Sequence, residues 1–280
     1  MNIQANCTPK ISVLTIVKNR SEALNNLIRG LCESALFPDE LIIVFMNESV
    51  FPVPTTPFPT HCVSFHTSES LPLAKARNYA ASIAKYDLLI FLDVDCIPSS
   101  LLCSIYTDCK DRNSILTGQI RYLQKAADLS NLNEGCLHQQ SNPDPIRADI
   151  RQLPYELFWS LNFACSRDLF QEIGGFDERF TGYGAEDTDF SFRAREKGIP
   201  ICTVSATAYH QHHPSYSPPI NHFSDIVENA RVFHEVWDRW PMEGWLREFQ
   251  EMGLLKWKPQ SIDILRYPSQ NEIDQSLKVS

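Results

Sequence analysis

Apolar residues along this chain fall into short uninterrupted runs separated by polar or proline-bearing breaks. ISVLTIV (11–17) and ELIIVFM (40–46) are apolar on both faces and rich in β-branched residues, as buried strands of a parallel sheet are. LLIFLDVD (88–95) has the same character but ends in two carboxylates. Between these runs the apolar positions switch to helical spacing. The polar turn Lys18-Asn19-Arg20-Ser21 sets Ser21 to cap a helix through about residue 33. Pro72 opens a helix over 72–85, with Leu73, Ala76, Ala80, Ile83 and Ala84 in one stripe and Arg77 and Asn78 off it. A short strand at 62–66 follows the proline-dense loop 51–60, and a helix is expected around 99–110. The order β-α-β-(β)-α-β is that of a nucleotide-binding half of a doubly wound sheet, although no GxGxxG follows the first strand.

Downstream the pattern loosens. ILTGQIRYL (115–123) and LFWSLNFACS (157–166) read as strands, with a polar, proline-bearing stretch of loop and short helices at 125–155. RDLFQEI (167–173) is helix-like, and 181–198 is a glycine-framed loop running into a helix that stops at Gly198. A strand at 201–209 leads into Tyr209-His210-Gln211-His212-His213, and 222–239 has helical spacing. The pattern predicts one main α/β domain over 1–215, a helical C-terminal extension packed on it over 216–267, and a weakly ordered tail at 268–280.

With 280 residues, 43% of them hydrophobic and 21% charged, the chain can bury a sizeable core. A net charge of −9 argues against nucleic acid as the main partner, yet leaves room for a nucleotide whose charge a divalent metal neutralises. The nine cysteines are scattered and form no CxxC pair, which points to reduced, intracellular thiols rather than a disulfide framework or a zinc site. The first residues lack a basic-then-apolar leader pattern, and no apolar run approaches the roughly 18 residues that span a bilayer. These features predict a cytoplasmic protein, with peripheral membrane contact left open.

Three constellations could carry chemistry. Asp93 and Asp95 share a face if their strand continues, at the carboxyl edge where open α/β sheets bind ligands, and Pro98 marks where pairing should stop. Two like charges so close call for a cation, and hard oxygen ligands suit Mn²⁺ or Mg²⁺ with a phosphate-bearing ligand. Glu186 and Asp187 follow Gly182-Tyr183-Gly184-Ala185, small residues that permit close approach to a ligand; one acid could act as a general base, or both could simply offset the helix dipole. His210, His212 and His213 crowd a strand end, and spacing does not decide which of them would bind a metal. Zinc is the competing metal there, but no cysteine lies at ligand spacing.

DVD, then GGFDERFTGYGAED, then AYHQ, in that order, resemble the GT-A glycosyltransferases of family 2. The resemblance is strongest to the branch sharing G-[WY]-G-x-E-D with the β-1,4-galactosyltransferases and chondroitin-polymerising enzymes, and it spans roughly residues 9–215. It implies a GT-A fold, a Rossmann-like mixed sheet flanked by helices. It also implies a nucleotide-sugar donor, UDP-linked hexose or N-acetylhexosamine, with Mn²⁺ or Mg²⁺, and inverting transfer to a hydroxyl of a glycan, lipid-linked or small-molecule acceptor. By motif position Asp95 would bind the metal and His210 would be its second protein ligand, while Asp93 would contact the ribose or the metal shell beside Val94. Asp187 would be the base and Glu186 would contact the sugars, with Tyr183 and Gly184 bordering them. Thr15, Val17 and Arg20 would line the nucleotide-binding first turn, and Arg77 with Asn78 match the family's ARN motif near uracil and ribose.

The chain departs from the family pattern after the second strand, where Met46-Asn47-Glu48-Ser49 replaces a DDGS-like acidic pair, leaving Glu48 as the substitute contact to the base. Tyr183 stands where the branch often has tryptophan, and Trp159 and Trp245 are further candidate stacking faces. The stretch 125–155 and the glycines around Tyr183 could form a lid. Two rivals remain: a nucleotidyltransferase, weakened by the lack of glycine in TIVKNRSEA, and a non-catalytic sugar- or nucleotide-sugar-binding protein on the same fold.

Overall fold

The computed structural model describes residues 9–148 and 150–278. A nine-stranded mixed sheet forms its centre. The run β1 (Ile11–Val17), helix α1 (Ser21–Cys32), β2 (Glu40–Met46), β3 (Thr60–Phe65), α2 (Leu73–Ile83) and β4 (Leu88–Leu92) builds one half, with β3, β2, β1 and β4 all parallel. Then come β5 (Cys96–Pro98), α3 (Leu102–Asp108), β6 (Ile115–Leu123), α4 (Glu134–Gln139), β7 (Ser141–Pro143), β8 (Asn162–Ser166), α5 (Arg167–Ile173), α6 (Glu186–Glu196) and β9 (Ile201–His210). Strand order is β3-β2-β1-β4-β8-β6-β9-β5, with β7 beside β6; β8 runs antiparallel to both β4 and β6, and this switch makes the sheet mixed.

Alternation along the strands sorts the core into two layers. Leu14, Ile16, Ile42, Val44, Leu89 and Phe91 face α2, α5 and α6, while Val13, Val17, Leu41, Ile43, Leu88 and Ile90 face α1 and α3. Under the site the first layer is aromatic: Phe91 stacks on Phe163 with centroids 4.5 Å apart, and Phe176 stacks on Phe190 at 4.6 Å. The sheet and helices together form the GT-A arrangement that the resemblance implies.

Several boundaries differ from the sequence pattern. The 88–95 strand ends at Leu92, because its partner β8 begins at Asn162, opposite Leu92, and the ladder stops there. Asp93, Val94 and Asp95 therefore occupy a turn, closed by Cys96 N–H donating to the Asp93 carbonyl at 2.9 Å, rather than a shared strand face. Pro98 does not end pairing: it lies in β5, the edge strand, opposite Ala208, where its missing N–H is tolerated. Residues 157–161 precede β8 instead of belonging to it. Ser21 is the first residue of α1, not its cap; Arg20 holds that position without a side-chain capping bond.

Beyond β9 the chain forms β10 (Ser215–Tyr216), α7 (Phe223–Trp237), α8 (Glu243–Glu251), the hairpin β11 (Leu255–Lys258) and β12 (Ser261–Ile264), then α9 (Gln270–Ser276) and β13 (Leu277–Lys278). The extension is thus helical with an added hairpin, around its own core of Ile226, Val227, Leu246, Phe249 and Leu255, against which Tyr183 of the main domain packs. The stretch read as a weakly ordered tail instead carries α9, opened by a capping box between Ser269 and Glu272, and β13, which pairs antiparallel with β10. Residues 279–280 lie outside the described part. Among the described residues no helix is long and apolar enough to cross a membrane, and the cysteines are free.

Candidate active site

The carboxyl ends of β1, β2 and β4 meet at one edge of the sheet, and most of the predicted site residues gather there. The turn after β4 sets Asp95 beside the end of β9, because Gln211 N–H donates to the Asp95 carbonyl at 2.7 Å. The Gln211 side chain is buried and bonded to α1 through Asn26 at 2.8 Å and the Ala23 carbonyl at 3.1 Å, so β9 and α1 hold this corner together. Three side chains then converge. His210 Nε2 lies 3.5 Å from Asp95 Oδ1, His213 Nε2 lies 3.4 Å from Asp95 Oδ2, and the three ligand atoms are all within 4.8 Å of one another. Arg20 Nη1 is 3.5 Å from the same carboxylate.

The donor set fits a divalent cation on geometry alone. His213 Nδ1 is 2.9 Å from the Pro214 carbonyl, which can only accept, so this nitrogen carries the proton and Nε2 presents its lone pair. That lone pair faces a carboxylate oxygen, two acceptors that a cation between them would reconcile; a ring N–H donated to a backbone carbonyl is also how metal-binding histidines are usually oriented. Burial holds the His213 pKa below the ordinary histidine value, which keeps the ring neutral.

The second acidic group, on α6, is mounted differently. Gly182, Gly184 and Ala185 all have positive φ, +70°, +101° and +72°. Ala185 has a Cβ and so holds a strained conformation immediately before α6, of the kind that clusters at functional sites. Glu186 and Asp187 open α6. Burial, then the neighbouring Glu186, pushes the Asp187 carboxyl up to about 7, while Arg77 and the Thr188 N–H, donating at 2.8 Å, oppose the shift.

Arg77 links the two sides. It is 5% exposed and its guanidinium donates to Glu186 Oε1 at 3.0 Å and to Asp93 Oδ1 at 3.2 Å, with the Phe176 ring 5.3 Å beneath it. Asp93 is therefore paired with Arg77 and stands outside the Asp95–His210–His213 group; burial raises its pKa against the pull of the guanidinium.

The family model described as Glycosyl transferase family 2 matches residues 12–174. The chain belongs to that family. A second model, described as the N-terminal domain of galactosyltransferase, matches residues 148–214 and so takes in both the 182–187 loop and His210, in keeping with the galactosyltransferase-like branch. Validoxylamine A glucosyltransferase of Streptomyces hygroscopicus subsp. jinggangensis (strain 5008) is 42% identical over 57 residues, 20% of this chain and 13% of that protein. Chondroitin synthase of Escherichia coli is 28% identical over 174 residues, 51% of this chain and 25% of that protein. The chain thus spans only a minor part of these relatives' lengths. Among solved structures, GalNAc-T7 with UDP, GalNAc and Mn²⁺ superposes with a TM-score of 0.56 at 14% identity, covering 88% of this chain and 57% of that one.

In this family 2 chain the remaining predicted residues are placed as follows. Thr15 and Val17 are buried in β1, and the Thr15 hydroxyl has no hydrogen-bond partner. Glu48 Oε2 accepts the Asn19 N–H at 2.9 Å, tying the ends of β1 and β2 together. Asn78 braces the GGFDE turn, accepting from Phe176 N–H at 2.8 Å and donating to its carbonyl at 2.8 Å. Val94 packs against the core layer that faces α1 and α3. Tyr183 stacks on His222 at 4.6 Å and on Trp245 at 6.0 Å, so its ring is engaged within the chain. Trp159 lies under the Arg147 guanidinium at 4.2 Å. Gly184 leaves room for Met242, whose sulfur would lie 2.8 Å from an added Cβ.

One residue was left undecided by the sequence, and one escaped it. His213 joins Asp95 and His210, where spacing left three histidines undecided. Asn229, 1% exposed on α7, accepts from Thr181 N–H at 3.1 Å and donates to the carbonyls of Thr181, Tyr183 and Gly184 at 2.9, 3.3 and 2.8 Å. It clamps the loop that delivers Glu186 and Asp187. Its signal was present as a polar residue among Ile226, Val227, Ala230 and Phe233 on a buried stripe.

Proposed function

We propose that this chain is a metal-dependent, inverting glycosyltransferase that moves a sugar from a nucleotide-sugar donor, a UDP-hexose or UDP-N-acetylhexosamine, to an acceptor hydroxyl. The observation that carries this reading is that one Arg77 guanidinium joins Asp93, next to the Asp95–His210–His213 group in the chain, to Glu186, next to a half-buried Asp187 whose carboxyl is pushed up to about 7. Asp95, His210 and His213 would hold Mn²⁺ or Mg²⁺, which when bound supplies positive charge for the leaving diphosphate. Neighbours of the same fold solved with UDP, GalNAc and Mn²⁺ support that assignment.

Asp187 has the properties of the base. Its carboxyl is half-buried and pushed up to about 7, and among the described residues it forms no ion pair, Arg77 being occupied by Glu186 and Asp93. It accepts the proton of the acceptor hydroxyl on the face of the sugar opposite the leaving group, which gives inversion. Arg77 holds Glu186 in place, so that it can accept hydrogen bonds from sugar hydroxyls. The strained 182–185 loop, clamped by Asn229, keeps these acids from drifting.

The test is release of UDP from UDP-hexoses and UDP-N-acetylhexosamines, with and without Mn²⁺ and with simple glycosides as acceptors. Metal-dependent release that falls by about 10²–10⁴ in Asp187→Asn supports the reading. Release indifferent to that substitution, or a chain that binds these donors and never turns them over, overturns it and favours a binding protein on the same fold.

A further inference from the structure

Two residues beyond Asp187, α6 buries a third acid, Asp189, completely. Both of its carboxylate oxygens are taken. Oδ1 accepts from Trp237 Nε1 at 3.0 Å and Oδ2 from Arg193 Nε at 2.8 Å. Trp237 is the last residue of α7, so the extension grips α6 here as it grips the loop at Asn229. The Arg193 guanidinium reaches past the carboxylate. Its Nη2 donates to the Gly175 carbonyl at 2.6 Å and its Nη1 to the Ile173 carbonyl at 3.3 Å, where α5 ends. Asn78 braces that same turn through Phe176, and the residue before it on α2, Arg77, holds Glu186. The Phe176 ring fills the space between, 4.6 Å from Phe190 of α6 and 5.3 Å from the Arg77 guanidinium. These contacts run from Arg193 through the turn, Asn78 and Arg77 back to Glu186, and so begin and end on either side of Asp187. An i,i+4 pair that served only its own helix would stop on that helix.

We infer that Asp189 is a positioning residue for Asp187, passing the hold of the extension and of the 173–176 turn to the start of α6. The inference rests on the glycosyl-transfer reading for what Asp187 does once it is positioned. Among the described residues Asp187 has no ion pair to fix it, and its bond from the Thr188 N–H is local, so its place follows from where α6 starts. Drift of a base by an ångström costs up to about 10²-fold in rate. Such drift would also carry the carboxyl toward water and away from Glu186, relaxing both influences that push it up to about 7.

Two substitutions test this. Asp189→Asn keeps the shape and loses the charge that Arg193 answers. Arg193→Lys keeps every charge but cannot span the carboxylate and both carbonyls, and it decides the matter if D189N fails to fold. UDP release gives kcat, and NMR of carboxyl-labelled aspartate gives the Asp187 midpoint without turnover, assigned by its loss in D187N. Both variants should lower kcat about 10–10²-fold with donor KM little changed, and lower the Asp187 midpoint by about one pH unit. No charge changes in R193K, so a lower midpoint there reports geometry. In the D187N background D189N should cost no further turnover, while its loss of melting temperature persists; a purely structural role would lower turnover equally in both backgrounds. That equal loss, a native kcat and midpoint in R193K, or a midpoint that falls in D189N alone overturns the inference. No UDP release from the native chain with the midpoint still lowered in R193K removes the transfer reading and leaves the positioning role. Release with R193K indistinguishable from the native chain does the reverse.

Discussion

The two sides of the cleft bring acids to the same place by opposite means. On the metal side, a relaxed turn after β4 and the end of β9 are held by core strands and by Gln211 bonded to α1. On the base side, three residues of left-handed backbone, Gly182, Gly184 and Ala185, are held in place by one asparagine from another part of the chain. The first site is a by-product of the sheet, and the second depends on the extension. Changes at one side should therefore leave the other standing, and each prediction below tests that independence.

The largest effect is expected from Asp187→Asn, a drop of about 10²–10⁴ in turnover with manganese affinity by calorimetry unchanged. The same residue sets the pH dependence. Its carboxyl is held up to about 7 and must be ionised to act as a base, so turnover should climb as pH rises through 7 and level off above, and the residual rate of D187N should lack that limb. Stability runs the other way. The folded state binds this proton more tightly than the unfolded chain, so the contribution is fully present below the unfolded value near 4 and is lost as pH rises through about 7, readable in melting temperatures of native and D187N protein.

Arg77→Met touches both sides and should break the comparison. It strands Asp93 and Glu186 without their shared cation, which is expected to destabilise the fold by about 3–5 kcal/mol in denaturant titration. Asn229→Ala should cost about 2–4 kcal/mol, since buried loop groups lose their partner, and should depress turnover while leaving manganese affinity as it was. His213→Ala is the mirror case: manganese binding weakened about 10–100-fold, melting temperature without metal little changed, and His212→Ala far milder because His212 lies outside the ligand group. A manganese affinity that falls equally in N229A and H213A would show that the two sides are one unit.

What could be read from the sequence followed from how local each feature is. β1, β2 and β6 begin and end where their apolar runs do, because both faces are buried and the run itself is the signal. The 88–95 run misled because the end of a strand depends on its neighbour, and nothing near Leu92 announces that β8 starts at Asn162. Asp95, His210, Glu186 and Asp187 were reachable as motifs. His213 was not separable from His212, since the choice rests on how the chain turns at Pro214. Asp93 and Arg77 were both named, yet their mutual pairing is a contact across 16 positions that no spacing rule supplies. The tail is the opposite case: Ser269 and Glu272 have the capping-box spacing, a local signal that the polar composition of 268–280 obscured.

The pairing of β10 with β13 has a consequence for how the molecule opens. Ser215 sits two residues beyond His213, and it is stitched to Lys278, with Ser217 N–H donating to the Ser276 carbonyl at 2.9 Å. Fraying of the last described residues should therefore reach His213, the third member of the proposed metal group. Amides at 215–217 and 276–278 should exchange with solvent at one common rate, as a single cooperative unit, and deletion of residues 268–280 should loosen the proposed ligand site more than fifty positions upstream.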